Sequence, residues 1–115
     1  GCGDGRVLIQ AIQHKALVAE GWESDLQIWL QANIKTKLSK TSTDKIIIHF
    51  ADFWNADLSN FDFIYMYQMD KYLTSFSKKI LPQLKPGTVI VNVDYPIPGM
   101  KPWKKDQNVY VYKVM

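Results

Sequence analysis

The chain has 115 residues, 47% hydrophobic and 22% charged, which excludes a disordered or fibrous protein and fits one globular domain over residues 1–115. A net charge of +3 without a single basic run excludes a strong nucleic-acid footprint, so no nucleic-acid partner is expected. The one cysteine, Cys2, excludes an internal disulfide framework, and no leader or membrane-length apolar run is visible, so a cytoplasmic setting is expected.

Aromatic residues make up 13% of the chain, which predicts a core rich in rings. Two lysine groups, Lys35, Lys37 and Lys40, then Lys101, Lys104 and Lys105, read as solvated faces.

The chain opens on Gly1-Cys2-Gly3-Asp4-Gly5. Leu8, Ile9, Ala11 and Ile12 follow at helical spacing, which predicts a helix over 6–15. Residues 16–23 form a short apolar stretch closing on Glu23 and predict a buried strand. Ser24 or Asp25 can cap the next helix, which carries Leu26, Ile28, Trp29, Leu30, Ala32, Ile34 and Leu38. After a polar segment, residues 44–50 contain three consecutive isoleucines, and β-branched runs favour strand.

Asp52 ends that strand within the stretch Ala51-Asp52-Phe53-Trp54, and residues 55–60 are rich in turn formers. Residues 61–67 predict another strand. A helical pattern then runs from Asp70 through Leu84 and stops at Pro86-Gly87. Residues 88–94 have strong β character. Pro96, Pro98 and Pro102 forbid regular structure for some distance. Alternating aliphatic and aromatic residues over 108–114 predict the last strand.

Strands separated by helices predict an α/β fold, a doubly wound and mostly parallel sheet with helices on both faces. Such sheets bind ligands beyond the carboxyl ends of their strands. Chemistry is therefore expected at Gly1 to Gly5, Glu23, Asp52 and Tyr67-Gln68-Met69.

Glycines before a helix let the backbone approach a ligand and aim amide N–H groups at it. The spacing is Gly-x-Gly-x-Gly. The dinucleotide fingerprint needs a third glycine where Arg6 stands, which argues against a nicotinamide cofactor. Glu23 lies near the spacing at which an acid meets ribose hydroxyls, against the plainer role of a turn acid. Asp52 can accept from an adenine amino group with Phe53 over the base, or simply cap a turn. His14 and His49 lack metal-ligand spacing, and no metal is expected. No residue is identified as a general base.

Together the loop Gly-Cys-Gly-Asp-Gly-Arg, the acid of Gly21-Trp22-Glu23, the run Asp52-Phe53-Trp54-Asn55-Ala56-Asp57-Leu58-Ser59 and the segment from Leu81 to Thr88 resemble class I S-adenosylmethionine-dependent methyltransferases. Asp57-Leu58-Ser59 and Tyr95-Pro96-Ile97-Pro98 resemble the small protein-lysine methyltransferases more narrowly. The resemblance implies a Rossmann-like sheet with an antiparallel C-terminal strand and S-adenosylmethionine as cofactor. It places Gly1, Cys2, Gly3, Asp4 and Gly5 at the cofactor, Glu23 at its ribose, and Asp52 and Phe53 at its adenine. A protein lysine is the implied acceptor, near Tyr67, Gln68, Met69, Tyr95 and Trp103. The alternatives are a small-molecule methyltransferase and a non-catalytic cofactor-binding or interaction module. In that family a helix and a first strand precede the glycine loop, so the sequence is expected to be part of a longer chain.

Overall fold

A computed structural model describes residues 5–39 and 45–115. The chain divides into two compact units, one ending at Ala56 and the other beginning at Asp57.

In the first unit the order is α1 (Arg6–Gln13), β1 (Ala19–Glu23), α2 (Leu26–Leu38) and β2 (Ile46–Phe50). The strands pair in parallel, with Ala19 opposite Ile46 and Glu23 opposite Phe50. α1 stops short of the expected residue 15 because Lys15 turns left-handed at φ 73° and the His14 ring nitrogen closes on the Gln10 carbonyl. The expected strand over 16–23 begins only at Ala19, where the ladder with β2 starts. Leu17 and Val18 are exposed rather than buried.

Asp25 is the residue that caps α2, its carboxylate accepting from the Gln27 and Ile28 amides at 3.0 and 3.1 Å. The Trp29 indole donates to the Ile48 carbonyl at 3.0 Å and ties α2 to β2. The apolar residues of α2 do not form one stripe. Its buried positions are Ala32 and Thr36, one turn apart, while Leu30, Ile34 and Leu38 stay exposed. The polar segment at Lys40 to Thr43 and the strand start at Asp44 lie outside the described residues.

The second unit contains β3 (Phe63–Met66), α3 (Asp70–Lys79), β4 (Val89–Val93), β5 (Lys104–Asp106) and β6 (Val109–Lys113). Its sheet has the order β3-β4-β6-β5. β3 and β4 run parallel, as a helical crossover requires, and β6 is the expected antiparallel C-terminal strand. α3 ends at Lys79, not Leu84. Pro82 has no N–H to continue the helix, and residues Leu81–Gln83 form a 3₁₀ turn. β5 was not legible in the sequence: Lys104-Lys105-Asp106 has no apolar alternation and is wholly exposed, so pairing with β6 alone makes it a strand.

Leu73, Phe76, Ile80, Ile90, Ile97 and Tyr112 form the core of this unit. The ring-rich core expected from composition is corrected here. Among the described residues only Phe76 and Tyr112 are buried aromatic side chains. Trp103, Tyr65, Tyr67 and Tyr72 present their rings to solvent.

Candidate functional site

Gly1, Cys2, Gly3 and Asp4 lie outside the described residues. Gly5 is buried at the start of α1 with φ 83°, a left-handed conformation suited to glycine. A Cβ there would stand 3.1 Å from Thr36 Cγ2 and 3.7 Å from Ala32 Cβ. Gly5 thus lets the start of α1 pack closely against α2.

Glu23 is the last residue of β1 and is 7% exposed. One carboxylate oxygen accepts from the Asp25 amide at 3.2 Å, and its carbonyl accepts from the Ala51 amide at 3.2 Å. That second bond fastens the carboxyl ends of β1 and β2 together. Asp52 follows two residues after β2, so the structure brings both predicted acids to one end of this parallel pair. Asp52 accepts from the Trp54 amide at 3.2 Å and caps a 3₁₀ turn over Phe53–Asn55. The turn-cap role is therefore real. Phe53 packs on Trp54 with ring centroids 4.4 Å apart. His49 stacks on Trp22 and meets Glu20 at 3.2 Å, a structural role on the sheet face.

In the second unit, Tyr67, Gln68 and Met69 leave the carboxyl end of β3, while Asp94 and Tyr95 leave that of β4. One residue joins the two exits. Asn92, 0% exposed, accepts from the Gln68 amide at 2.9 Å and donates to the carbonyls of Gln68 at 3.2 Å and Tyr95 at 2.7 Å. Every polar atom of the side chain is matched, as burial demands. Asn92 has no role among the sequence-based expectations. A lone Asn in a run of valines and isoleucines was the available signal, because an unpaired amide there would cost about 1–3 kcal/mol.

Asp94 was also missed. It adopts φ 73°, unusual for a residue with a side chain. Its amide donates to the Asn108 carbonyl at 2.7 Å, and the Asn108 side chain donates to its Oδ1 at 2.6 Å. The Tyr67 hydroxyl donates to its Oδ2. These bonds hold the Asp94 carboxyl below the usual carboxylate range, Tyr67 first and Asn108 second. The same hydrogen bond, with the carboxylate charge behind it, raises the Tyr67 phenol.

Trp103 does not join this group. Its amide donates to the Val111 carbonyl, which aligns it with the Ile90 level of β4 rather than the carboxyl end. β5 is also two strands from β4, roughly 10 Å across the sheet. Its ring instead carries the Lys104 and Lys113 ammonium groups at 4.6 and 5.6 Å. Asp57-Leu58-Ser59 forms a local turn: Asp57 accepts from the Ser59 amide and hydroxyl at 3.0 and 2.6 Å, and Leu58 is buried. Among the described residues no cluster of three metal-ligating side chains occurs, and no helix is long and apolar enough to cross a membrane.

Comparison with known proteins gives three findings. Residues 1–104 match the family model of the ANTKMT methyltransferase domain. No curated protein matches. Among solved structures, an RNA methyltransferase from Salinibacter ruber, in complex with S-adenosyl-L-homocysteine, superposes with a TM-score of 0.91 at 24% identity, covering 99% of this chain and 76% of its own. An S-adenosylmethionine-dependent methyltransferase from Mesorhizobium loti superposes with a TM-score of 0.62 at 22% identity, covering 98% of this chain and 53% of its own. At these identities the likeness establishes the fold.

Proposed function

This chain belongs to the ANTKMT methyltransferase domain family, and we propose that its S-adenosylmethionine-dependent methyl transfer has a protein lysine side chain as acceptor. The observation that carries the reading is the family match over residues 1–104, which spans both the glycine loop and the two strand exits pinned by Asn92.

The residues present fit the cofactor. Glu23 offers a buried carboxylate at the carboxyl end of a parallel strand, suited to paired ribose hydroxyls. Gly5 keeps the start of α1 clear of any Cβ, and Gly1, Cys2, Gly3 and Asp4 would complete that loop. Asp52 and Phe53 would hold the adenine, with Asp52 also serving its turn. When bound, the cofactor would supply an electrophilic methyl group on a sulfonium, with its neutral thioether as the leaving group.

The chain's own work is then to position the acceptor and exclude water. Tyr67, Gln68, Met69 and Tyr95 would line the acceptor's approach. Asn92 fixes the backbones that carry them. Trp103 would act elsewhere, since the register separates it from that end of the sheet. A cytoplasmic setting remains part of the proposal.

The test is transfer of a tritiated methyl group from S-adenosylmethionine to cell extract. The label is expected in protein, released as methyllysine on hydrolysis. Label lost to ribonuclease but not protease would overturn the lysine reading.

An RNA acceptor is the second reading, favoured by one observation. Residues 101–115 carry four lysines against one aspartate, the same net +3 as the whole chain, and Lys104 and Lys105 lie over Trp103 and Tyr110. Basic side chains interleaved with rings suit a polyanion. Under this reading Lys104→Glu with Lys105→Glu would abolish transfer to RNA; under the lysine reading protein methylation survives it.

A further inference from the structure

Three elements of the second unit converge where β3 and β4 end. Tyr67 follows β3, Asp94 follows β4, and Asn108 sits in the tight turn between β5 and β6. In that turn Gln107 is left-handed at φ 51°, as short hairpin loops require, and this brings Asn108 back to Asp94. Asp94 is left-handed too. A non-glycine residue keeps that conformation only where its surroundings over-determine it. Here its amide and both carboxylate oxygens are all engaged.

The direction of the hydrogen bonds matters more than their number. A phenol has one proton, and Tyr67 donates it to Asp94. The phenolic oxygen therefore has only lone pairs left for a ligand. The Asp94 carboxylate is an acceptor by nature. Tyr67 and Asp94 are both exposed, so these lone pairs are open to solvent and to a ligand. A pair that can only accept, with a negative charge behind it, suits a ligand rich in N–H donors and positively charged. It repels a phosphate.

We propose that Tyr67, Asp94 and Asn108 form an amine-recognition element, in which the Tyr67 oxygen accepts an N–H from the acceptor amine and Asp94, held by Asn108, fixes the phenol's orientation and supplies the charge. The identity of the amine as a lysine side chain rests on the proposed function. The element binds the amine as the prevalent ammonium. Once the ammonium has released a proton to the solvent that reaches this exposed pair, the same N–H to Tyr67 contact orients the nitrogen lone pair. The low carboxyl pKa of Asp94 keeps the charge in place at neutral pH, and the raised phenol pKa keeps the Tyr67 proton on its oxygen.

The probe is n-butylamine, which copies the end of a lysine side chain, titrated into the full-length protein with S-adenosylhomocysteine bound. Binding is read by calorimetry and by tyrosine ring signals in NMR spectra. The wild type is expected to bind, with Tyr67→Phe and Asp94→Asn each weakening the amine by about tenfold. Asn108→Ala is expected to weaken it less, because the charge remains. The affinity for S-adenosylhomocysteine and the melting temperature serve as controls for folding. Wild-type affinity in both Tyr67→Phe and Asp94→Asn overturns the element, even if the protein methylates lysine. Butylamine binding that both variants lose, in a protein that methylates no lysine, supports the element and overturns the lysine reading.

Discussion

Asn92 grips Gln68 from both sides: its side-chain oxygen accepts from the Gln68 amide at 2.9 Å, and its side-chain nitrogen donates to the Gln68 carbonyl at 3.2 Å. A third bond to the Tyr95 carbonyl makes this buried amide the fastening of two loops that leave neighbouring parallel strands.

Asn92→Ala leaves one amide and two carbonyls without their partner. Each such group costs about 1–3 kcal/mol when it stays dry, so a total loss of about 2–4 kcal/mol is expected after partial hydration. The measurement is the midpoint of urea unfolding. Loss of order in the 67–69 and 94–95 backbones should appear as faster amide exchange there than in β4 itself.

Gly5→Ala combines a left-handed residue with a Cβ 3.1 Å from Thr36 Cγ2. The conformational part alone costs about 1–2 kcal/mol. Thr36→Ser removes the Cγ2 methyl and should recover the steric part but not the conformational part. Melting temperatures of the single and double variants separate the two. Additivity of the two substitutions would show that the predicted contact is absent.

Glu23→Gln keeps an oxygen for the Asp25 amide but loses the charge and one acceptor for ribose hydroxyls. Affinity for S-adenosylmethionine, measured calorimetrically, should fall by roughly tenfold or more while stability changes little. Asp52→Asn should have the smaller effect, since an amide oxygen still accepts from Trp54.

The Tyr67–Asp94 pair ties stability to pH on two sides. Asp94 is depressed in the folded protein, so its contribution is present above the unfolded carboxylate value of about 3.9 and is lost as pH falls through the folded value. Tyr67 is raised, so its contribution is full below the unfolded phenol value of about 10 and is lost as pH rises through the folded value. Asp94→Asn should therefore destabilise between those limits and converge on the wild type in acid. It should also lower the titration of one phenol, followed by tyrosinate absorbance, while Tyr112, raised by burial, keeps its own.

The sequence by itself determined the family and the order of all the helices and strands except β5. Glycine spacing, β-branched runs and helical periodicity are local signals, and each survives wherever the segment is placed. They located Glu23 at the end of β1, and Asp52 and Tyr67 within two residues of the ends of β2 and β3. The tertiary structure decided what depends on register and on neighbours. Lys104-Lys105-Asp106 is a strand only because β6 lies beside it. Trp103, expected at the acceptor together with Tyr95, lies away from the carboxyl end of the sheet because of a register that no local pattern encodes. Asn92, Asp94 and Asn108 acquire their roles from partners up to 27 residues away, Tyr67 and Gln68 among them. Hydrogen bonds across such distances are set by the folded backbone, so side chains that read as ordinary strand and turn residues become the ones that hold the site.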